Sequence, residues 1–324
     1  MSAENRAPAG AAPELSFEQT VPKSIAHRWA VSEVFVTDSA QVADNEFLLA
    51  WQLPRAHLLW ADRRTRHHDP FASAEAARQG TFVVLHRHLG VQVGVPFSLQ
   101  RFEFQVSDIE PYLDDRHRPL QGLLRYRITE RDERAGQLNN MTLAGELEIA
   151  GRTVMSIGGD IVFMSRDDYE ALRAFQRANK PITPGAPPPP TAEPIDPELV
   201  GRFNPRNVAV GRPAAGEEDY PVVVDRTHPS FFDHDYDHVP GPFTVEGFRQ
   251  MAIMTAHRSG VLKSSDAVLT GLLTSFTDFG EFEAPLFFRA DEPEQAPGGR
   301  VAVRVGLHQF GKEIAMGRIE LAGS

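Results

Sequence analysis

Two stretches of the chain repeat one order of apolar and polar positions. In the first, apolar runs at Val34-Phe35-Val36 and Phe47–Leu53 predict strands, and a long polar loop follows. Asp69-Pro70 then opens a helix, because aspartate suits the cap position and proline the first helical residue. Ala-rich sequence carries this helix to about His88, where Gly90 supplies a stop. Only strand signals remain beyond it. Phe102, Phe104 and Val106 alternate with polar residues, Leu123–Thr129 follows, and the runs Met141–Ile149 and Thr153–Phe163 flank a turn at Ala150-Gly151-Arg152.

The second stretch has the same order. Gly241-Pro242 opens a helix with Phe243, Phe248, Met251 and Thr255 on one stripe. Strands are predicted around Leu273–Phe276, Phe282–Phe288, Val301–Leu307 and Glu313–Leu321, the last pair turning at Phe310-Gly311-Lys312. A long helix followed by antiparallel strands is an α+β unit whose curved sheet wraps a central helix, the hotdog layout. Two such units predict a tandem (double) hotdog fold, an internal pseudo-dimer. The expected organisation is a disordered lead over 1–14, a first domain over 15–165, a helix and linker over 166–198, and a second domain over 199–324. The linker is set by the proline-rich run Pro181–Pro197, which favours extended polyproline backbone. The charged stretch before it reads as a helix bearing Tyr169, Leu172 and Phe175.

A polar constellation recurs in the same register. Arg55, His57, Glu75, Arg78 and Gln79 each have an identical residue 171 positions later: Arg226, His228, Glu246, Arg249 and Gln250. A period this long marks a duplicated domain, not a solenoid. The Glu-x-x-Arg spacing sets both side chains on one helix face.

Bulk properties narrow the chemistry. The net charge of −11 argues against non-specific binding to nucleic acid or to anionic membranes. No apolar run is long enough to span a membrane, and residues 1–13 lack a signal core, so a cytoplasmic protein is expected. With no cysteine there are no disulfides, thiolate nucleophiles or cysteine metal sites. No Gly-x-Ser-x-Gly elbow is present either.

The loop ahead of the second helix concentrates protonic groups: His228, Asp233, His234, Asp235, Asp237 and His238, then Pro240-Gly241. A helix start there offers unpaired N–H groups to an oxygen that gains negative charge. Glu246 follows one turn inside.

His-Pro, Phe-Asp-His, Asp-His-Val-Pro-Gly and Glu-x-x-Arg-Gln together resemble the A-factor biosynthesis hotdog family (AfsA type). Val21-Pro22-Lys23, His27-Arg28, Glu33-Val34-Phe35, Thr37-Asp38 and His68-Asp69-Pro70 in the first half agree with it. The resemblance implies a γ-butyrolactone autoregulator synthase, which joins a β-ketoacyl group on acyl carrier protein to the hydroxyl of dihydroxyacetone phosphate. It implies no resident cofactor beyond the phosphopantetheine arm of the carrier, with acyl carrier protein or acyl-CoA and a phosphorylated three-carbon acceptor as partners. Pro240-Gly241 with Glu246 also resembles an element of hotdog dehydratases, but the dehydratase histidine would fall near Phe232, where this chain departs from the pattern.

On this reading Glu246, Arg249, Glu75 and Arg78 are catalytic candidates, with the second half as the main site. Glu246 serves as base or orients the hydroxyl, and Arg249 holds phosphate or lowers the proton affinity of Glu246. His228, Asp233, His234, His238, Gly241, His57 and Gln250 are substrate-binding candidates. Three plainer readings stand beside these. A Glu-x-x-Arg pair is commonly a surface ion pair. His57 and His228 suit loop hydrogen bonds equally well. The Asp233–His238 cluster fits a solvated loop better than a metal, and none is expected. A hotdog thioesterase or dehydratase, or a non-catalytic binder of acyl carriers or signals, is the alternative function.

Overall fold

The computed structural model describes residues 13–134, 137–183 and 187–323. Most of the expected lead, residues 1–12, lies outside them, as does 184–186 of the linker.

Among the described residues twelve strands form one sheet. The first half supplies β1 (Val36–Ala43), β2 (Glu46–Gln52), β3 (Phe97–Val106), β4 (Gln121–Arg134), β5 (Gln137–Ile149) and β6 (Arg152–Phe163). The second supplies β7 (Tyr220–Pro221), β8 (Ala267–Phe276), β9 (Phe287–Ala290), β10 (Glu294–Ala296), β11 (Arg300–Gln309) and β12 (Lys312–Gly323). The order β1-β2-β4-β5-β6-β3-β8-β12-β11-β9-β7 puts the seam between halves at the antiparallel pair β3–β8, where Phe102 faces Thr274 and Phe104 faces Leu272. Thr274, fully buried, donates its hydroxyl to the Phe102 carbonyl at 2.8 Å across this seam. The two expected hairpin turns carry left-handed residues at Ala150-Gly151 and Phe310-Gly311.

Each half encloses one long helix, α1 (Pro70–Val83) and α3 (Gly241–Arg258), with α2 (Arg166–Ala178) between them. α1 runs on through a π-turn over Val84–His88. One apolar core passes through both halves, with Phe47, Trp51 and Leu124 in the first and Phe248 and Phe288 in the second. At Gly247 a Cβ would sit 2.1 Å from the Phe288 ring, so only glycine lets α3 approach β9 this closely.

Three expectations change. α3 is not striped: it is buried all round through Met254, and the expected apolar-face residue Thr255 is only half-buried. The helix is enclosed by sheet on one side and loops on the other, which removes the polar face a stripe needs. The strand expected over 282–288 shrinks to Phe287–Ala290, because Pro285 lacks a ladder donor and Glu281 and Glu283 turn to Arg173 and Arg177 of α2. The short strands β7 and β10 carry no sequence signal of their own.

Candidate active site between the halves

The two Glu-x-x-Arg pairs build matching buried knots. Glu75 accepts from Arg78 Nε at 2.7 Å and Nη2 at 2.9 Å, from Gln79 at 3.0 Å, and from Arg28. Glu246 accepts from Arg249 Nε at 2.9 Å and Nη2 at 2.7 Å, from Gln250 at 2.5 Å, and from Arg202 Nε at 3.0 Å. Each glutamine then ties its helix to the segment carrying the second arginine. Gln79 bridges the Glu33 carbonyl and the Phe35 amide; Gln250 bridges the Asn207 carbonyl and the Ala209 amide. Burial pushes both carboxyls up, but two guanidinium groups apiece outweigh it and bring each down to about 2.

His57 and His228 are matched staples as well. Nδ1 of His57 accepts the amides of Leu59 and Trp60, both at 3.2 Å, and Nδ1 of His228 accepts those of Ser230 and Phe231, both at 3.2 Å. A ring accepting at Nδ1 carries its proton on Nε2. That nitrogen lies 3.2 Å from Glu33 Oε2 in His57 and 2.9 Å from Asn207 Oδ1 in His228. Burial, reinforced by Arg206, lowers His228 to about 4 and keeps it neutral. Asp233 closes a third matched contact, accepting the amides of Trp29 at 2.7 Å and Ala30 at 3.1 Å. Its counterpart Asp62 accepts from Phe203 and Asn204.

The copies part company at the starts of the helices. Asp69 caps α1, accepting the Phe71 amide at 3.0 Å. The equivalent Pro240 has no side chain to offer, so α3 begins uncapped. The positive end of α3 therefore stays open. It faces a cavity of about 220 Å³ bordered by His27, Arg78, His234, Tyr236, His238 and Gly241. Arg78 is the one residue of α1 that is not fully buried, and its guanidinium lies 4.9 Å from the Phe82 ring centre. The cavity adjoins a groove of about 640 Å³ whose apolar wall includes Leu99, Met164, Leu172, Phe276 and Ile314. The equivalent space beside Arg249, at the start of α1, holds about 10 Å³, room for little more than one water.

The structure thus gathers Arg78, His234, His238 and Gly241 at one cavity and sets the other candidates elsewhere. Glu246 has no exposed surface, both its oxygens are occupied, and Arg249 beside it is nearly as enclosed. This geometry corrects the expectation that Glu246 meets a substrate hydroxyl in the second half. Gln250, His57, His228 and Asp233 hold segments together and do not border the cavity. Glu75, also sealed, reaches the cavity only through Arg78. His238 Nδ1 lies 2.5 Å from Asp237, which Tyr169 and Arg173 of α2 hold at 2.8 and 3.1 Å. The candidate set drawn from the sequence omitted Arg28, Arg202, Asp62 and Tyr236. The pairs Arg28/Arg202 and Trp29/Phe203 repeat at a spacing of 174, which a search at 171 misses. Among the described residues no group of three or more metal-binding side chains converges, and no helix is long and apolar enough to cross a membrane.

Comparison with known proteins agrees with the duplicated architecture. The model of the A-factor biosynthesis hotdog domain matches residues 11–165 and 185–322. A Streptomyces virginiae protein named 2-oxo-3-(phosphooxy)propyl 3-oxoalkanoate synthase is 29% identical over 293 residues, covering 90% of this chain and 93% of its own. A Streptomyces coelicolor protein of the same name is 27% identical, covering 91% of this chain and 90% of its own. A crystal structure of a putative oleoyl thioesterase from Lactobacillus plantarum superposes with a TM-score of 0.53 at 12% identity, over 87% of this chain and 98% of that one, which is a likeness of fold. Matched in both halves by the same family model, this double hotdog chain belongs to the A-factor biosynthesis hotdog family.

Proposed function

We propose that the protein is an acyltransferase that moves a β-ketoacyl group from a thioester, on acyl carrier protein or coenzyme A, to the hydroxyl of a small phosphorylated three-carbon alcohol such as dihydroxyacetone phosphate. The observation that carries this reading is the cavity's construction. An arginine of one half faces the uncapped helix start of the other, and an apolar groove leads away from them. Such a site suits a ligand with an anionic head and an acyl tail. The relatives' name describes an ester of those two parts.

Arg78 takes the phosphate, pre-aimed by its fork on Glu75. Glu75 is a positioning residue, since it is sealed from the cavity and both its oxygens already accept from Arg78, Gln79 and Arg28. The amides of Gly241 and Phe243 at the open end of α3 stabilise the oxyanion; Pro242 between them has none. The acyl chain lies along the groove by Leu99, Met164 and Phe276. The acceptor oxygen attacks the thioester carbon, the C–S bond breaks, and the departing thiolate takes up the proton. His234 and His238 bind substrate from the cavity wall, while Glu246, Arg249 and Gln250 maintain the closed counterpart knot. No resident cofactor is needed, because the thioester arrives activated.

The test incubates the protein with a β-ketoacyl thioester, with and without dihydroxyacetone phosphate, and follows products by mass spectrometry. A phosphorylated β-keto ester formed only with the acceptor is expected. Free β-keto acid alone assigns the cavity to hydrolysis, and retention of the thioester without turnover assigns it to binding.

A further inference from the structure

The cavity holds a histidine outside the candidate set whose backbone and partners mark it out. His27 borders both the cavity and the groove. Its backbone is left-handed, with φ of 53°. A β-carbon makes that conformation uncommon, and non-glycine residues held there cluster at functional sites. The equivalent residue of the second half, 174 positions on, is Gly201, with φ of 73°. Where the space is closed the chain uses the glycine this turn favours; where a cavity stands it keeps an imidazole at a conformational cost.

The ring's hydrogen bonds orient it. His86, on the π-turn that extends α1, places Nδ1 2.7 Å from the Val91 carbonyl, which can only accept. The His86 proton is therefore on Nδ1 and its Nε2 carries a lone pair. His27 Nε2 lies 2.7 Å from that nitrogen and must donate to it. This leaves His27 Nδ1 as the nitrogen able to accept a proton. His27 also stacks on Phe82, 4.4 Å between ring centres, which fixes the ring plane.

We propose that His27 is a catalytic residue, the general base that takes the acceptor hydroxyl's proton at Nδ1, with His86 as the positioning residue that fixes its tautomer. The inference rests on the acyl-transfer reading above. The proton passes from hydroxyl to His27 as the C–O bond forms, and from His27 to the thiolate as the C–S bond breaks, so the ring ends neutral. Burial, then His86, Arg78, His234 and Arg28, lower the ring to about 3, so it stands neutral with Nδ1 free to accept. Phosphate bound at Arg78 offsets that guanidinium and raises the proton affinity of His27 when substrate is present.

His27→Gly installs the residue the second half uses, and His27→Asn is a further variant that tolerates the left-handed region. With the β-ketoacyl thioester and dihydroxyacetone phosphate, both variants should lose about 10²- to 10⁴-fold in kcat, with a small change in acceptor KM. Added imidazole should restore part of the His27→Gly rate, and its melting temperature should stay within a few degrees of wild type. Long-range ¹H–¹⁵N NMR of the wild type should show His27 protonated at Nε2 and His86 at Nδ1. Full activity in either folded variant, or a proton on Nδ1 of His27, overturns the proposal. If the wild type only hydrolyses the thioester, the transfer reading falls and the same comparison on hydrolysis judges His27. If it turns over neither way, the tautomers decide the relay.

Discussion

Asp69 and Pro240 stand at equivalent positions, one residue ahead of each central helix, and only Asp69 has a side chain that accepts an amide of the helix behind it. The first helix is finished within itself, whereas the second is left with a donor-rich end that faces the cavity. On the proposed acyl-transfer reading, two copies of one sequence pattern divide the work. The first half supplies the guanidinium and the second supplies the open helix start.

Pro240→Asp should close that end. Its backbone, at φ of −66° and ψ of 143°, is extended like that of Asp69 at −71° and 116°, so a carboxylate there can cap α3. The variant should gain about 1 kcal/mol of stability and lose acyl transfer by on the order of 10²-fold, because the new cap occupies the Phe243 amide, one of the two oxyanion donors. Melting curves and initial rates check both. A stabilised variant with wild-type turnover would remove the helix start from the mechanism.

Arg78 and Arg249 should separate in the same manner. Arg78→Met leaves Glu75 paired with Arg28 and Gln79 and empties only the cavity face. Acceptor KM should rise about 10- to 100-fold, the loss of a charge-assisted contact. Arg249→Met lies beside a space of about 10 Å³ and should leave that KM near wild type while lowering the urea midpoint. Acceptor titrations of the two variants decide between them.

Much of this was readable from residues alone. The hairpin turns, both helix starts and most of the longer strands follow from local periodicity and turn chemistry. So does the duplication, because five polar identities keep one offset. Two features depended on contacts distant in sequence. The partners of the carboxylates, Arg28 and Arg202, sit at a spacing of 174 and lie outside that register. Which copy keeps a cavity depends on what fills the space. Arg63, Arg64 and Thr65 crowd the start of α1 where His234 and Tyr236 line an opening at α3. No periodicity encodes that difference, so a sequence reading placed the site on Glu246, the better-flanked of two similar glutamates.

Glu246→Gln should act on folding. It leaves Arg202 and Arg249 as buried charges without a counter-ion, at a cost of about 3–5 kcal/mol. Activity per folded molecule should change far less than stability. Glu75→Gln should lower both, because Arg78 loses the fork that aims it. Denaturant melts paired with activity in the folded range provide the comparison.

The same buried groups set how stability responds to acid. His228 is held near 4 and His27 near 3, against 6.5 for a free imidazole, so the unfolded chain binds more protons than the folded one below pH 6.5. Where the unfolded state binds more protons, stability rises with pH, so acidification below 6.5 must weaken the fold. The carboxyls of Glu75 and Glu246 add a second loss. Both stand at about 2 against 4.5 when free, so their contribution is complete above pH 4.5 and disappears as pH falls toward 2. The urea midpoint should therefore be highest above pH 6.5, decline gently to about pH 4.5 and then drop steeply. In His27→Gly the upper decline should be shallower, since one of the imidazoles that burial holds neutral is gone, while the lower drop should remain. A midpoint flat from pH 7 to pH 3 would mean that the guanidinium pairs do not hold these carboxyls ionised.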